Sequence, residues 1–319
     1  VHQAGDFANH DWLDFGWHGN MKAVRHIPAE LAMDSSQETQ PGTVRAVVRV
    51  VRGQVTSDGA GVKLTRVIGN ASLGDLDPFL MLDEFGSDTA TDYIAGFPDH
   101  PHRGFETVTY MLDGRMRHWD NKGNSGLLGP GSVQWMTAGS GLVHSEMPEQ
   151  QEGLMRGFQL WINLPARDKM TPPRYQDIPP EQVPEVSGGE GVRVRLLAGS
   201  LNGVSGPVSG IVTDPVYFDV HLDAGATFAM PLPMAHTAFF YVYEGGVVSG
   251  AERKNVTRGD LAILGQGGQV TIEAGGSPTR LILLAGRPIN EPVARYGPFV
   301  MNTREEIMQA FDDFNSGRF

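Results

Sequence analysis

The 319-residue chain contains no cysteine. It therefore has no disulfide framework and no thiolate metal site. It also lacks any run of 18 apolar residues, the minimum for a helix that crosses a bilayer. No secretory pattern opens it. Basic residues are few, 25 Lys and Arg against 37 Asp and Glu, for a formal charge of −12. That balance excludes the sequence-independent nucleic-acid binding that basic patches provide. These absences fit a cytoplasmic protein with no membrane contact. Val1 is not an initiator residue, and Met21 offers an internal start. What is abundant is glycine and proline, 41 and 21 residues spread evenly. That load favours many short strands joined by turns. The length suggests about two domains.

Residues 1–42 show no periodicity, although Trp12, Trp17, His2, His10 and His18 lie there. They read as an irregular arm. From Val44 the pattern becomes strand-like: Val44–Val51 is β-branched, and Val62–Ile68 alternates with one slip. Pro78–Leu82 is a short apolar run, and Thr107–Leu112 leads into the turn Asp113-Gly114, a hairpin signal. Val133–Met136 and Phe158–Leu164 follow. Residues 166–190, rich in Pro, Glu and Gln, read as a linker. The second half repeats the first: Tyr241-Val-Tyr-Glu-Gly245 echoes Tyr110-Met-Leu-Asp-Gly114, and 257–264 echoes 129–136. Thr303-Arg-Glu-Glu306 is a capping box that starts a helix burying Ile307, Ala310, Phe311 and Phe314 on one face. The expected fold is all-β, with two double-sheet jelly-roll (cupin) barrels in tandem and a short C-terminal helix. The barrels are expected over 43–165 and 191–315.

Two stretches carry candidate chemistry. Phe97–Glu106 offers His100 and His102; Gly139–Glu146 offers His144 and Glu146. Each pair is spaced i, i+2, which puts both side chains on one face of a strand. Two such strands crossing one cavity could aim three imidazoles and a carboxylate at a common point, a ligand set suited to Fe(II), Mn, Ni or Zn. Glu106 shares the parity of His102 and competes with Glu146 for the carboxylate position. Glu146 is favoured as ligand, with Glu106 orienting a histidine or a water. Arg103 points away from the ligand face by parity, Trp135 reads as core, His118 as exposed or structural, and Asp168 and Lys169 as solvated charges. In the second half, aligning Tyr241 with Tyr110 sets Pro233 against His102 and His236 against Phe105, so no metal is expected there.

Three segments, FPDHPHRGFETV at 97–108, QWMTAGSGLVHSEMP at 134–148 and GPFVMNTREEI at 297–307, resemble the pirin family of bicupins. The similarity covers about residues 44–315. It implies one metal, usually iron, in the N-terminal barrel, with His100, His102, His144 and Glu146 as ligands. Fe(II) is the expected cofactor; Mn, Ni, Zn and Cu are the other ions considered. Some members of the family have quercetin 2,3-dioxygenase activity, and others are regulators that bind transcription factors or metabolic enzymes. The expected function is thus a metal-dependent dioxygenase of a flavonol such as quercetin, with Glu146 or Glu106 as the base. The alternative is a metal- or redox-dependent regulator. Expected partners are a small aromatic substrate and dioxygen, or a protein in the alternative reading, for a monomeric chain.

Overall fold

The computed structural model describes residues 42–319 and the backbone of Lys22–Ala23, which pairs with Ala294 and Arg295. The rest of the expected arm, with its histidines and tryptophans, lies outside the described residues.

The strands form two double-sheet barrels. In the first, a seven-stranded sheet runs in the order Arg174–Ile178, Val133–Thr137, Phe105–Asp113, Met155–Asn163, Phe79–Ser87, Val62–Ile68, Gln54–Asp58. Against it lies a four-stranded sheet of Phe97–His102, Leu142–Pro148, Met116–Asp120 and Ser125–Leu128. The second barrel repeats this plan. Its seven strands are Glu185–Gly189, Val192–Ala198, Val216–Leu222, Thr279–Gly286, Thr237–Glu244, Asp260–Leu264 and Val47–Arg52. Its four are Thr227–Pro231, Gln269–Ala274, Gly246–Ser249 and Lys254–Thr257.

Period-two alternation decides where each side chain goes. In Phe105–Asp113, Met111 enters the core of the first barrel with Phe85, Met116 and Met155. Val108 and Tyr110 point the other way, into a core shared between the two large sheets with Trp135, Phe158, Tyr217, Tyr241 and Tyr243. Both faces of the central strands of the large sheets are therefore buried, which explains why Phe105–Asp113, Val133–Thr137 and Thr237–Glu244 are buried almost throughout, while edge strands such as Gln54–Asp58 are exposed.

Three local expectations change. The strand read at Val44–Val51 forms over Val47–Arg52, but it pairs with Asp260–Leu264 at the edge of the second large sheet. The next strand, Gln54–Asp58, starts the first. Residues 166–190 contain two strands, Arg174–Ile178 on the first large sheet and Glu185–Gly189 on the second. Asp113-Gly114 does not close a hairpin. Gly114, at φ +81°, turns the chain across the barrel into Met116–Asp120 of the opposite sheet. The slip within Val62–Ile68 is present as a register shift between Arg66 and Ile68. The C-terminal helix runs Arg304–Asn315 from a complete Thr303/Glu306 capping box and buries Ile307 and Ala310.

Candidate metal centre

The strand Phe97–His102 pairs antiparallel with Leu142–Pro148, which sets His144 opposite His100 and Leu142 opposite His102. The ring centroids are 4.4 Å apart for His100–His144, 4.7 Å for His100–His102 and 5.0 Å for His102–His144. One ligating atom from each of the three imidazoles lies within 4.8 Å of the others, and no other such group of His, Asp or Glu is found among the described residues. Proline between the two histidines causes no ladder problem, because Pro101 is on the outer strand of this four-stranded sheet.

The electrostatics favour neutral rings with free lone pairs. His102 and His144 are buried. Burial, followed by repulsion from His100, holds both well below the ordinary histidine range. Nδ1 of His102 and both ring nitrogens of His144 have no hydrogen-bond partner. A buried polar atom without a partner costs about 1–3 kcal/mol. His100 Nδ1 lies 2.8 Å from the Pro98 carbonyl oxygen, which can only accept, so that nitrogen is the donor and Nε2 is the atom free to turn toward the cluster. Unpartnered nitrogens on the buried His102 and His144, converging with His100, are what a divalent transition ion requires, so these residues fit a metal.

Glu146 is buried two residues beyond His144, and its Oε1 accepts from Thr109 Oγ1 at 2.9 Å. Gln159 lies on the same hydroxyl, with its amide 2.6 Å from Thr109 Oγ1. The hydroxyl has one proton, and the carboxylate is the stronger acceptor; the Gln159 amide then faces Thr109 through its NH₂. Register slips by one between His144 and Glu146 on the side of the first histidine strand but stays regular on the other side, where Glu146 faces His118.

Glu106 is not brought to the histidines. The chain bends at Gly104, at φ +88°, where a Cβ would overlap the Val300 carbonyl oxygen. The next strand belongs to the opposite sheet, so the parity of His102 does not carry over to it. Glu106 shares its sheet face with Val108 and Tyr110, opposite to Thr109, and accepts from Thr137 Oγ1 at 2.7 Å. Burial pushes its carboxyl up against the opposing pull of Thr137 and Trp135.

Of the two readings left open for His118, exposed or structural, the structure takes the second, whereas Lys169 escaped the sequence reading. His118 is fully buried: Nε2 lies 3.2 Å from Asp177 Oδ2, and the ring stacks on Tyr175 at 5.5 Å. The alternation in Met116-Arg-His-Trp-Asp120, with 116, 118 and 120 buried, was the available signal. Lys169 is buried at 1% exposure. Its Nζ donates to Asn163 Oδ1 at 2.6 Å, the Gly104 carbonyl at 2.7 Å and the Val300 carbonyl at 3.0 Å. Burial pulls its pKa down to about 7, against Glu291 and Glu306. No sequence signal distinguished it from the solvated Asp168 beside it. Arg103 points away from the histidines, into an ion pair with Asp313 at 2.7 Å and beneath the Phe319 ring at 4.3 Å.

In the second barrel Met230 faces Val270 as His100 faces His144, and Leu232 bonds to Gly268 where His102 meets Leu142. Met230, Leu232, Val270 and Ile272 on these two strands are all apolar core, and no histidine or acid cluster able to hold a metal is found there among the described residues.

Two stacked double-sheet barrels, with a three-imidazole cluster in the first and an apolar counterpart in the second, define a bicupin. The pirin family profile matches residues 61–162 and the pirin C-terminal cupin domain matches residues 217–319, so the chain belongs to the pirin family. A pirin-like protein of Caulobacter vibrioides is 54% identical over 86% of this chain and 99% of its own length. A Pseudomonas aeruginosa protein provisionally named a quercetin 2,3-dioxygenase is 52% identical over 86% of this chain and 97% of its own. The crystal structure of a quercetin 2,3-dioxygenase from Acinetobacter baumannii superposes with a TM-score of 0.80 at 34% identity, covering 87% of this chain and 99% of that one.

Proposed function

We propose that this protein is an iron-dependent dioxygenase that opens the ring of a flavonol such as quercetin, consuming one dioxygen and releasing one carbon monoxide. The observation that carries the reading is the cluster of three imidazoles, His100, His102 and His144, with unpartnered buried nitrogens on the latter two. Glu146, two residues along the strand from His144, is buried and bonded to Thr109 and is the carboxylate we assign to the same ion. His100, His102, His144 and Glu146 would hold the ion. When bound, the ion supplies Lewis acidity toward adjacent substrate oxygens and redox access to dioxygen. Mn, Ni, Zn and Cu are the other ions this donor set accepts.

The protein's own residues do the rest. Glu146 takes the flavonol hydroxyl proton, and Thr109, shared with Gln159, fixes the carboxylate so that the accepting oxygen is held in place. Phe105 and Trp161, packed on His102 at 5.1 and 5.2 Å, keep water from that ring. The names of the quercetin dioxygenase relatives support the same substrate class. The test is oxygen uptake and carbon monoxide release with quercetin on iron-loaded protein, alongside His144→Ala. Turnover that vanishes in the variant is expected; equal turnover in both sinks the proposal.

A second reading has one observation behind it. Trp119 and Leu127 are 40% and 48% exposed on the outer face of the sheet that carries the histidines. A protein partner could dock there and report the state of the metal. Loss of partner capture by Trp119→Ser, with turnover intact, would favour it.

A further inference from the structure

The first barrel supplies every candidate ligand, yet the exit of its first histidine strand is held from outside that barrel. His102 is followed by Arg103 and Gly104, and both are tied to the segment Phe299–Met301. Val300 N–H donates to the Arg103 carbonyl at 3.1 Å, and Arg103 forms an isolated parallel bridge with Phe299. The Gly104 Cα packs so closely on the Val300 carbonyl that no side chain fits. The Pro298 carbonyl lies against the His102 ring itself. Val300 joins Phe105 and Trp161, the two rings packed on His102, in one small core.

At the centre of this junction sits Lys169. An ammonium has three N–H donors and no acceptor. Here all three are used, on one acceptor from each of three segments: Gly104 from the ligand loop, Val300 from the C-terminal segment and Asn163 from the end of a large-sheet strand. Two of these acceptors are main-chain carbonyls that face each other across the junction. Without the ammonium they would be buried acceptors in close approach with nothing between them, a cost of about 1–3 kcal/mol for each. The loop would relax to relieve that cost, and His102 is two residues away.

We propose that Lys169 is a positioning residue of the metal centre: by clamping Gly104 to Val300 it fixes the His102 imidazole, so that a segment of the C-terminal half sets the geometry of a site whose ligands all lie in the N-terminal half. The inference rests on the reading of His100, His102, His144 and Glu146 as ligands, and goes beyond it by assigning a residue that touches neither metal nor substrate. Outer residues that orient ligands typically change metal affinity 10–100-fold when removed.

The experiment uses the full chain, freed of metal and titrated with Co(II), whose visible absorption reports coordination and whose affinity is read by competition with a chelator. Lys169→Met keeps the length and apolar stem and removes the donors. It is expected to bind Co(II) at least tenfold more weakly, with a shifted absorption band. Asn163→Leu, which keeps the lysine and removes one acceptor, is expected to weaken Co(II) binding measurably but less than Lys169→Met does. A folded Lys169→Met protein with wild-type affinity and spectrum overturns the inference even if its melting temperature falls, because a purely stabilising lysine would do just that. If Lys169→Met does not fold, Asn163→Leu decides, and an unchanged affinity and band in that variant overturn the inference. His102→Ala separates the two layers: wild-type Co(II) binding in that variant overturns the ligand reading and this inference together, whereas a failure confined to the Lys169 and Asn163 variants overturns this inference alone.

Discussion

Glu146 and Glu106 are the same residue type, both buried, and each accepts a hydrogen bond from a threonine hydroxyl. They differ in which face of a sheet they occupy, and that difference separates a ligand candidate from a structural acid. Glu146→Gln is expected to lower metal affinity by about tenfold or more. Glu106→Gln is expected to leave the metal content of purified protein unchanged, because its carboxyl lies across the sheet from the histidines. Metal analysis of the two variants side by side checks both, and metal loss in Glu106→Gln would contradict the assigned face. At Gly104 the demand is steric: Gly104→Ala puts a Cβ on the Val300 carbonyl and strains a positive φ. It is expected to destabilise by more than about 1 kcal/mol, seen as a lower melting temperature.

The C-terminal helix acts as an element that braces the ligand loop. Its Asp313 pairs with Arg103 and Arg318, and the hydrogen bonds from these two, Arg103 first, hold its carboxyl down to about 2. The folded-state pKa is depressed, so the pairing stabilises above the unfolded value near 4 and is lost as pH falls toward 2. The melting temperature of the wild type should therefore exceed that of Asp313→Asn by a constant margin above pH 5. The margin should shrink between pH 4 and 2. A margin that persists at pH 2.5 would show that the ion pair is not what holds the helix. The same element carries a Thr303/Glu306 capping box, and Thr303→Ala is expected to cost about 1 kcal/mol.

For the molecule as a whole, the two barrels share more than an interface. Val47–Arg52 completes the sheet of the second barrel before the chain begins the first. Arg156 bridges Glu84 of one large sheet to Glu244 and the Tyr243 carbonyl of the other. Asp219 accepts from Tyr110, Tyr243 and His221 inside the shared core. Burial alone would raise its pKa, yet these partners bring it below the usual carboxylate value. Such a construction should unfold as one unit. Denaturant unfolding followed by fluorescence and by circular dichroism should give a single coincident transition, and two separated transitions would refute it. Tyr110→Phe, which leaves Asp219 short of one donor, should lower stability by about 1–3 kcal/mol without changing metal content.

The amino-acid sequence by itself determined what depends on neighbours along the chain. Period-two alternation marked most strands, the Thr303-to-Glu306 spacing marked the helix start, and the i, i+2 pairs at His100/His102 and His144/Glu146 marked the strands that bring three imidazoles together. Motifs this long also placed the chain in its family. Only the tertiary structure decided where parity breaks and which strand joins which sheet. The bend at Gly104 turned Glu106 away, and the crossover at Gly114 replaced a hairpin. The edge pairing of Val47–Arg52 moved a strand to the other barrel. Lys169 was read as solvated because its three acceptors come from residues 104, 163 and 300, and no local pattern encodes a partner 131 positions away. Backbone sterics and side-chain period act over a few residues; burial is set by which surfaces meet once the chain has folded.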